Sequence, residues 1–391
     1  MELALFIVIA LSMSMEYVQA KSEMAEIRRG KPKDVIKNEY LVVMRDNATE
    51  LDIENSITEL ETMPSTLNKT FKSYSKALKG FAVRIDSELE KEIRQLPGVL
   101  YVQEQTLIYG SDVTWGLDRI DQREKLTDAG VVGYNPPGHG DGVSVYIMDT
   151  GIDKNQQEFG KRRHSFYDGV NSKPSPNVCN FHGTHVAGIV GSKTYGVANQ
   201  AELYSVTVLN CNNAGTLTDI IGGLDYIATH GTKPGVIVMA LSGVFVEALN
   251  QAIANVEAEG YVVVVAAGNS ADDACLYSPG SSEKAITVAA TANDDHATTY
   301  SNYGECIDIY APGNYIKTTG SDNKNPPLRS GTSMACPFIA GIAAIHLQKN
   351  PDLTPAEVKD IILSSGTKDT VYGTAIDNGS PSLLAYIDPG L

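Results

Sequence analysis

From residue 143 onward, apolar residues come in short unbroken runs, 143–148, 203–208, 236–241, 261–267 and 285–289, with no polar alternation inside them. A run without alternation predicts a strand buried on both faces, the habit of parallel sheets. Between the runs, apolar positions return at helical spacing over 218–229 and 246–259, and later over 333–348 and 354–364. Strand and helix in alternation predict an α/β fold, a doubly wound and mainly parallel sheet with right-handed crossovers. Reactive residues then belong at the carboxyl ends of the strands. Upstream, the alternating Tyr40-Leu-Val-Val-Met44, a polar helical stretch and Gly80-Phe-Ala-Val-Arg-Ile85 predict a separate small α+β unit that ends near residue 110.

The extreme N-terminus has its own pattern. Residues 3–13 are an apolar run, well short of the roughly 20 residues that span a bilayer, and Val18-Gln19-Ala20 offers small residues where a signal peptidase reads. Residues 1–20 are therefore expected to be a removed signal peptide, and the protein to be secreted with no membrane span. Acidic residues outnumber basic ones by 47 to 31 in the 391-residue chain, which argues against nucleic-acid partners, since these need basic surface. In an oxidising compartment the five cysteines, Cys179, Cys211, Cys275, Cys306 and Cys336, supply two bridges and one leftover thiol. Four paired cysteines allow three connectivities, and spacing alone does not choose among them. Asn47 and Asn68 begin Asn-x-Thr triplets that read as glycosylation acceptors.

Four residues stand where chemistry is expected. Asp149 ends the apolar run 143–148 and is followed by Thr-Gly. An aspartic-protease reading needs a second such carboxylate, and the chain has no other Asp-Thr-Gly or Asp-Ser-Gly. His182 opens His-Gly-Thr-His-Val-Ala-Gly; the spacing to His185 is three, without the glutamate of a zinc helix, so His182 is the candidate base and His185 a packed neighbour. Ser333, in Gly-Thr-Ser-Met-Ala, stands at the start of a long apolar helix whose first turn is expected to contain Pro337. Its context is not the Gly-x-Ser-x-Gly of an α/β-hydrolase. Asn269 follows the most apolar run and offers a side-chain amide to a developing oxyanion.

Asp-Thr-Gly, His-Gly-Thr-His-Val-Ala-Gly, Ala-Ala-Gly-Asn and Gly-Thr-Ser-Met-Ala, in this order, resemble the subtilisin-like serine proteases, in particular the proteinase K branch, over residues 115 to about 384. The resemblance implies a triad of Asp149, His182 and Ser333 with Asn269 as oxyanion donor. It implies that Asn213, Ala214 and Gly215 pair with one edge of an extended peptide and Leu241, Ser242 and Gly243 with the other, with Leu217 in an outer aliphatic subsite. Small wall residues suggest apolar or aromatic side chains just before the cut. Residues 34–110 resemble an inhibitory propeptide, which implies a propeptide over 21–110 and a catalytic domain over 111–391 with an N-terminus near Ser111. The cysteines match an aqualysin-like pattern, which implies Cys179–Cys211 and Cys275–Cys306 and leaves Cys336 as a small buried residue. Asp118, Asp121 and Gln122 resemble a structural calcium site. No cofactor is required for the chemistry. The expected partners are protein or peptide substrates and the chain's own propeptide, on a monomer. The alternative is a catalytically silent secreted binding or surface protein, whose mark would be a broken triad.

Overall fold

The computed structural model describes residues 24–29, 35–67, 69–76, 78–106, 114–125, 133–170, 178–321 and 326–391. These form two compact units that part near residue 110. The expected signal segment, Asn68 and Ser111 lie outside the described residues.

The first unit is the small α+β fold. It runs β1 (Glu26–Arg28), β2 (Val35–Met44), α1 (Glu50–Thr62), β3 (Thr70–Tyr74), β4 (Gly80–Arg84), α2 (Glu90–Gln95) and β5 (Val99–Thr106). The sheet order is β1-β5-β2-β4-β3, with β1 parallel to β5 and the other pairs antiparallel. Alternation in β2 sends Tyr40, Val42 and Met44 into a core with Ile53, Leu60, Phe81 and Val102. Thr49 and Asp52 cap α1 reciprocally, which satisfies two of the N–H groups a helix start leaves open. Asn47 is exposed in the turn before that cap.

The second unit opens with α3 (Trp115–Ile120), then β6 (Ser144–Asp149), β7 (Arg163–Asp168), α4 (His182–Gly191), β8 (Glu202–Thr207), α5 (Leu217–His230) and β9 (Gly235–Met239). There follow β10 (Gly243–Val244), α6 (Glu247–Ala258), β11 (Tyr261–Ala266), β12 (Tyr277–Ser278), β13 (Ile286–Thr291), β14 (Ile309–Pro312), β15 (Ile316–Lys317) and β16 (Leu328–Arg329). The chain ends through α7 (Thr332–Lys349), α8 (Pro355–Ser365), β17 (Thr367–Lys368), α9 (Thr374–Asp377) and β18 (Leu383–Leu384). The main sheet has the order β17-β18-β14-β13-β11-β9-β6-β8-β7 and is parallel except at β17.

Its strands are unbroken apolar runs because both faces are covered. Val145, Ile147, Val238 and Val264 face α4 and α7, packing with Val186, Ile189, Ile339 and Ile342. Their sequence neighbours Tyr146, Met148, Met239 and Val263 face α5 and α6, packing with Ile220, Leu224 and Ile253. The direction of strand addition reverses around β6, whose neighbours are β8 and β9; this is the place where an open α/β sheet leaves a crevice at its carboxyl edge.

Two sequence expectations change. The run 236–241 leaves the sheet after Met239, so Ala240 and Leu241 become loop. Pro337 falls in the second turn of α7 rather than the first, where its missing N–H leaves the Ser333 carbonyl without its helical donor.

Candidate active site

The carboxyl ends of β6, β9 and β11 and the amino ends of α4 and α7 converge on one spot. Asp149 is the last residue of β6 and is fully buried. Thr150 N–H donates to its Oδ1 at 2.7 Å. His182 is the first residue of α4, and its Nδ1 lies 2.8 Å from both Asp149 oxygens. The helix reaches the strand this closely because Gly183 has no side chain: a Cβ there would meet Gly151 O at 2.6 Å and Asp149 Cβ at 3.0 Å. Asn180 Oδ1 accepts from His182 N–H, and Thr150 Oγ1 accepts from Gly183 N–H and donates to Asn180 O.

Burial works against a charged His182, but the charge of Asp149 and its hydrogen bond outweigh this and raise the imidazole above its ordinary value, with Arg329 pulling the other way. His185 is buried and has no carboxylate bonded to its ring among the described residues; burial first, then the Arg329 and His182 charges, lower it to about 4. The two histidines of the motif are therefore set apart by their surroundings, with only His182 holding a carboxylate partner.

Ser333 is the second residue of α7, reached through Gly331 at φ +144°, a conformation that favours glycine. In this conformation its Oγ donates to Ala240 O at 3.0 Å, and no hydrogen bond to His182 forms. Asn269 follows β11 in the loop after Ala266. Its Oδ1 accepts from Thr332 N–H at 2.8 Å and from Thr332 Oγ1 at 3.1 Å, while Gly268 N–H donates to the same hydroxyl at 3.2 Å. Both bonds take the amide oxygen, which turns Nδ2 away from Thr332. The sequence reading gave Thr332 no role; its position beside Ser333, where a hydroxyl is buried with nothing apolar to recommend it, was the available signal.

A cavity of about 600 Å3 runs from Ser333 and Asn269 across the sheet edge. All seven residues expected to bind substrate line it: Asn213, Ala214, Gly215, Leu217, Leu241, Ser242 and Gly243. The sequence reading missed Ile220, Val246, Leu249 and Tyr277, which also line it and looked in sequence like ordinary helix or loop positions. The cavity is mostly apolar.

The bridges are Cys179–Cys211 and Cys275–Cys306. Cys336 is free and fully buried, Sγ 3.5 Å from Val264 O, and burial raises its thiol far above the ordinary range. Asp118, Asp121 and Gln122 are buried together. Asp118 accepts from Gln122 Nε2 at 3.0 Å and Gly133 N–H at 2.9 Å, and Asp121 accepts from Asn135 N–H at 2.9 Å. Their donor set toward a cation is oxygen only, which fits calcium and not a transition metal. Among the described residues no group of three or more His, Cys, Asp or Glu is arranged to hold a metal.

A buried carboxylate on an imidazole, with a helix-start serine and a braced amide nearby, is the set of groups that serine hydrolases use. Residues 140–379 match the subtilase family, and residues 39–109 match the peptidase inhibitor I9 family. The chain is 38% identical over 376 residues to the extracellular serine proteinase of Thermus sp. (strain Rt41A), covering 90% of each. It is 35% identical over 381 residues to the cuticle-degrading protease of Metarhizium anisopliae, covering 94% of each. Among solved structures, a cold adapted subtilisin-like serine proteinase is similar at a TM-score of 0.67 and 40% identity, over 71% of this chain and 99% of that one. The chain belongs to the subtilase family, as a proteinase K-like serine endopeptidase with an I9-type propeptide domain before it.

Proposed function

We propose that Asp149, His182 and Ser333 act as the catalytic triad of a secreted endopeptidase of broad specificity. The observation that carries the reading is the His182 Nδ1 contact with both Asp149 oxygens, which holds the imidazole in the tautomer that leaves Nε2 to work as base. Rotation of the Ser333 hydroxyl off Ala240 O toward Nε2 starts the reaction: the serine loses its proton to His182 and attacks the scissile carbonyl. The oxyanion is bound by Asn269 Nδ2 and Ser333 N–H, at a helix start whose dipole favours negative charge. The amine leaves with the His182 proton, and water repeats the sequence on the acyl-enzyme.

Binding is assigned to main-chain pairing with 213–215 and 241–243, a mode that gives affinity without demanding particular side chains. The apolar lining near Ala240 and Ala266 favours an apolar or aromatic residue before the cut. The first unit is proposed to inhibit the enzyme until self-cleavage near Ser111, after export directed by residues 1–20. A calcium ion held by Asp118, Asp121 and Gln122 is proposed to brace the segment after α3, without a part in the chemistry. Thermal unfolding with calcium and with chelator checks this: a higher midpoint with calcium, lost in Asp121→Asn, is expected, and equal midpoints reject it.

The test of the enzymatic reading is cleavage of a denatured protein and secretion of a shortened chain by wild type, against Ser333→Ala. Turnover and processing should vanish together in the variant. A Ser333→Ala chain that still cuts itself near residue 111 would overturn the assignment.

A further inference from the structure

The cavity lined by 213–215 and 241–243 lies to one side of Ser333, and His182 is not among its walls. On the mechanism just proposed, the acyl half of a substrate stays on Ser333 in that cavity. The amine half takes its proton from His182, so residues after the cut must leave past His182. Among the described residues an exposed cation, Arg329, lies on that side. Arg329 ends β16, four residues before Ser333 on the segment that turns through Gly331 into α7. The β15–β16 hairpin that carries it leans on α4, the helix that His182 opens: Thr318 Oγ1, next after β15, donates to His185 O at 2.7 Å and Thr319 Oγ1 to Thr184 O at 2.9 Å. This places Arg329 on the histidines' side of the cleft, where its charge opposes protonation of both.

The guanidinium has little to occupy it. Nη1 donates to the neighbouring Leu328 O at 3.1 Å, and among the described residues no carboxylate lies within ion-pair distance of it. The backbone that carries it is fixed by pairing with Ile316, which is buried, by Tyr315 N–H on Ser330 Oγ at 2.9 Å and by Gly331 N–H on Gly313 O at 2.9 Å. The chain carries a net charge of −16, so acidic peptides are repelled in general, and any preference for them must come from a local cation.

We propose that Arg329 determines specificity on the leaving side, selecting Asp or Glu at one of the first two residues after the scissile bond. The inference rests on the proposed proteolytic reading. An extended peptide rises roughly 3.3 Å per residue and alternates its side chains, so one of those two residues faces the wall within the reach of an arginine. The contact is an exposed ion pair, so its effect is modest and falls with salt.

The experiment uses internally quenched peptides with one fixed acyl half, carrying Glu, Gln or Lys at the first or second position after the cut. The readout is the ratio of kcat/KM for Glu to that for Lys within each enzyme, so a general loss of activity cancels. Wild type should favour Glu about fivefold at low ionic strength, the preference shrinking at high ionic strength. Arg329→Gln should bring the ratio near one and Arg329→Glu should invert it. An unchanged ratio in Arg329→Gln at both positions overturns the proposal. Wild-type enzyme that cleaves none of the peptides would count against the proteolytic reading itself.

Discussion

Thr332→Val isolates the residue that holds the proposed oxyanion donor. Two bonds fix Asn269 Oδ1, from Thr332 N–H at 2.8 Å and Oγ1 at 3.1 Å; valine keeps the first and deletes the second. It also strands Gly268 N–H, which donates to that hydroxyl at 3.2 Å in a buried place, so stability should fall by about 1–3 kcal/mol. Losing the whole oxyanion amide costs about a hundredfold to a thousandfold in turnover, a figure that comes from subtilisin itself. A neutral hydrogen bond is worth about 0.5–1.5 kcal/mol net, so loosening the amide by one of two bonds should lower kcat roughly threefold to tenfold. KM should hardly move, because the donor engages only as charge develops. Steady-state kinetics on a peptide anilide, normalised to titrated active sites, measures this, with Thr332→Ser as the control that restores kcat. A Thr332→Val enzyme with wild-type kcat, beside an impaired Asn269→Ala, would refute the reasoning.

Asp149 raises the imidazole of His182, and the base must be neutral, so kcat/KM should rise with pH through a value above the ordinary histidine 6.5. Asp149→Asn should move that limb to lower pH and cost about 10⁴ in kcat; a limb that stays in place in the variant contradicts the assigned partner. Each bridge closes a loop of 32 or 31 residues in sequence separation, worth about 3–4 kcal/mol. Replacing Cys179 and Cys211 together by Ser, in a Ser333→Ala background that cannot digest itself, should therefore lower the unfolding midpoint by roughly 5–10 °C. Cys336 is buried with a raised thiol and should react with a thiol reagent only on unfolding; inactivation of native enzyme at the rate of Cys336 labelling would show that the thiol is accessible.

The strands that position the site were readable because burial on both faces leaves runs such as 143–148 and 261–267 uniformly apolar. The edge strand β7 was not, since Arg163-His-Ser-Phe-Tyr-Asp168 is only partly buried and carries no clean period. β14 is four residues long and merges with its loops. The triad candidates were legible because each ends a strand or opens a helix at the sheet's carboxyl edge. Thr332 was hidden because its work is a hydrogen bond across 63 residues to Asn269, and no local pattern encodes such a contact. Arg329 was hidden for a similar reason: one exposed arginine in a short strand has no signature until the fold sets its hairpin against α4.

The central claim is that Ser333 is the nucleophile. Treatment of the mature enzyme with a serine-directed phosphonate, followed by peptide mass mapping, tests it most directly. A single adduct on Ser333, formed in step with loss of activity and absent from His182→Ala, is the predicted result. Full inactivation with the adduct on another residue, or activity that survives stoichiometric labelling of Ser333, would contradict the account.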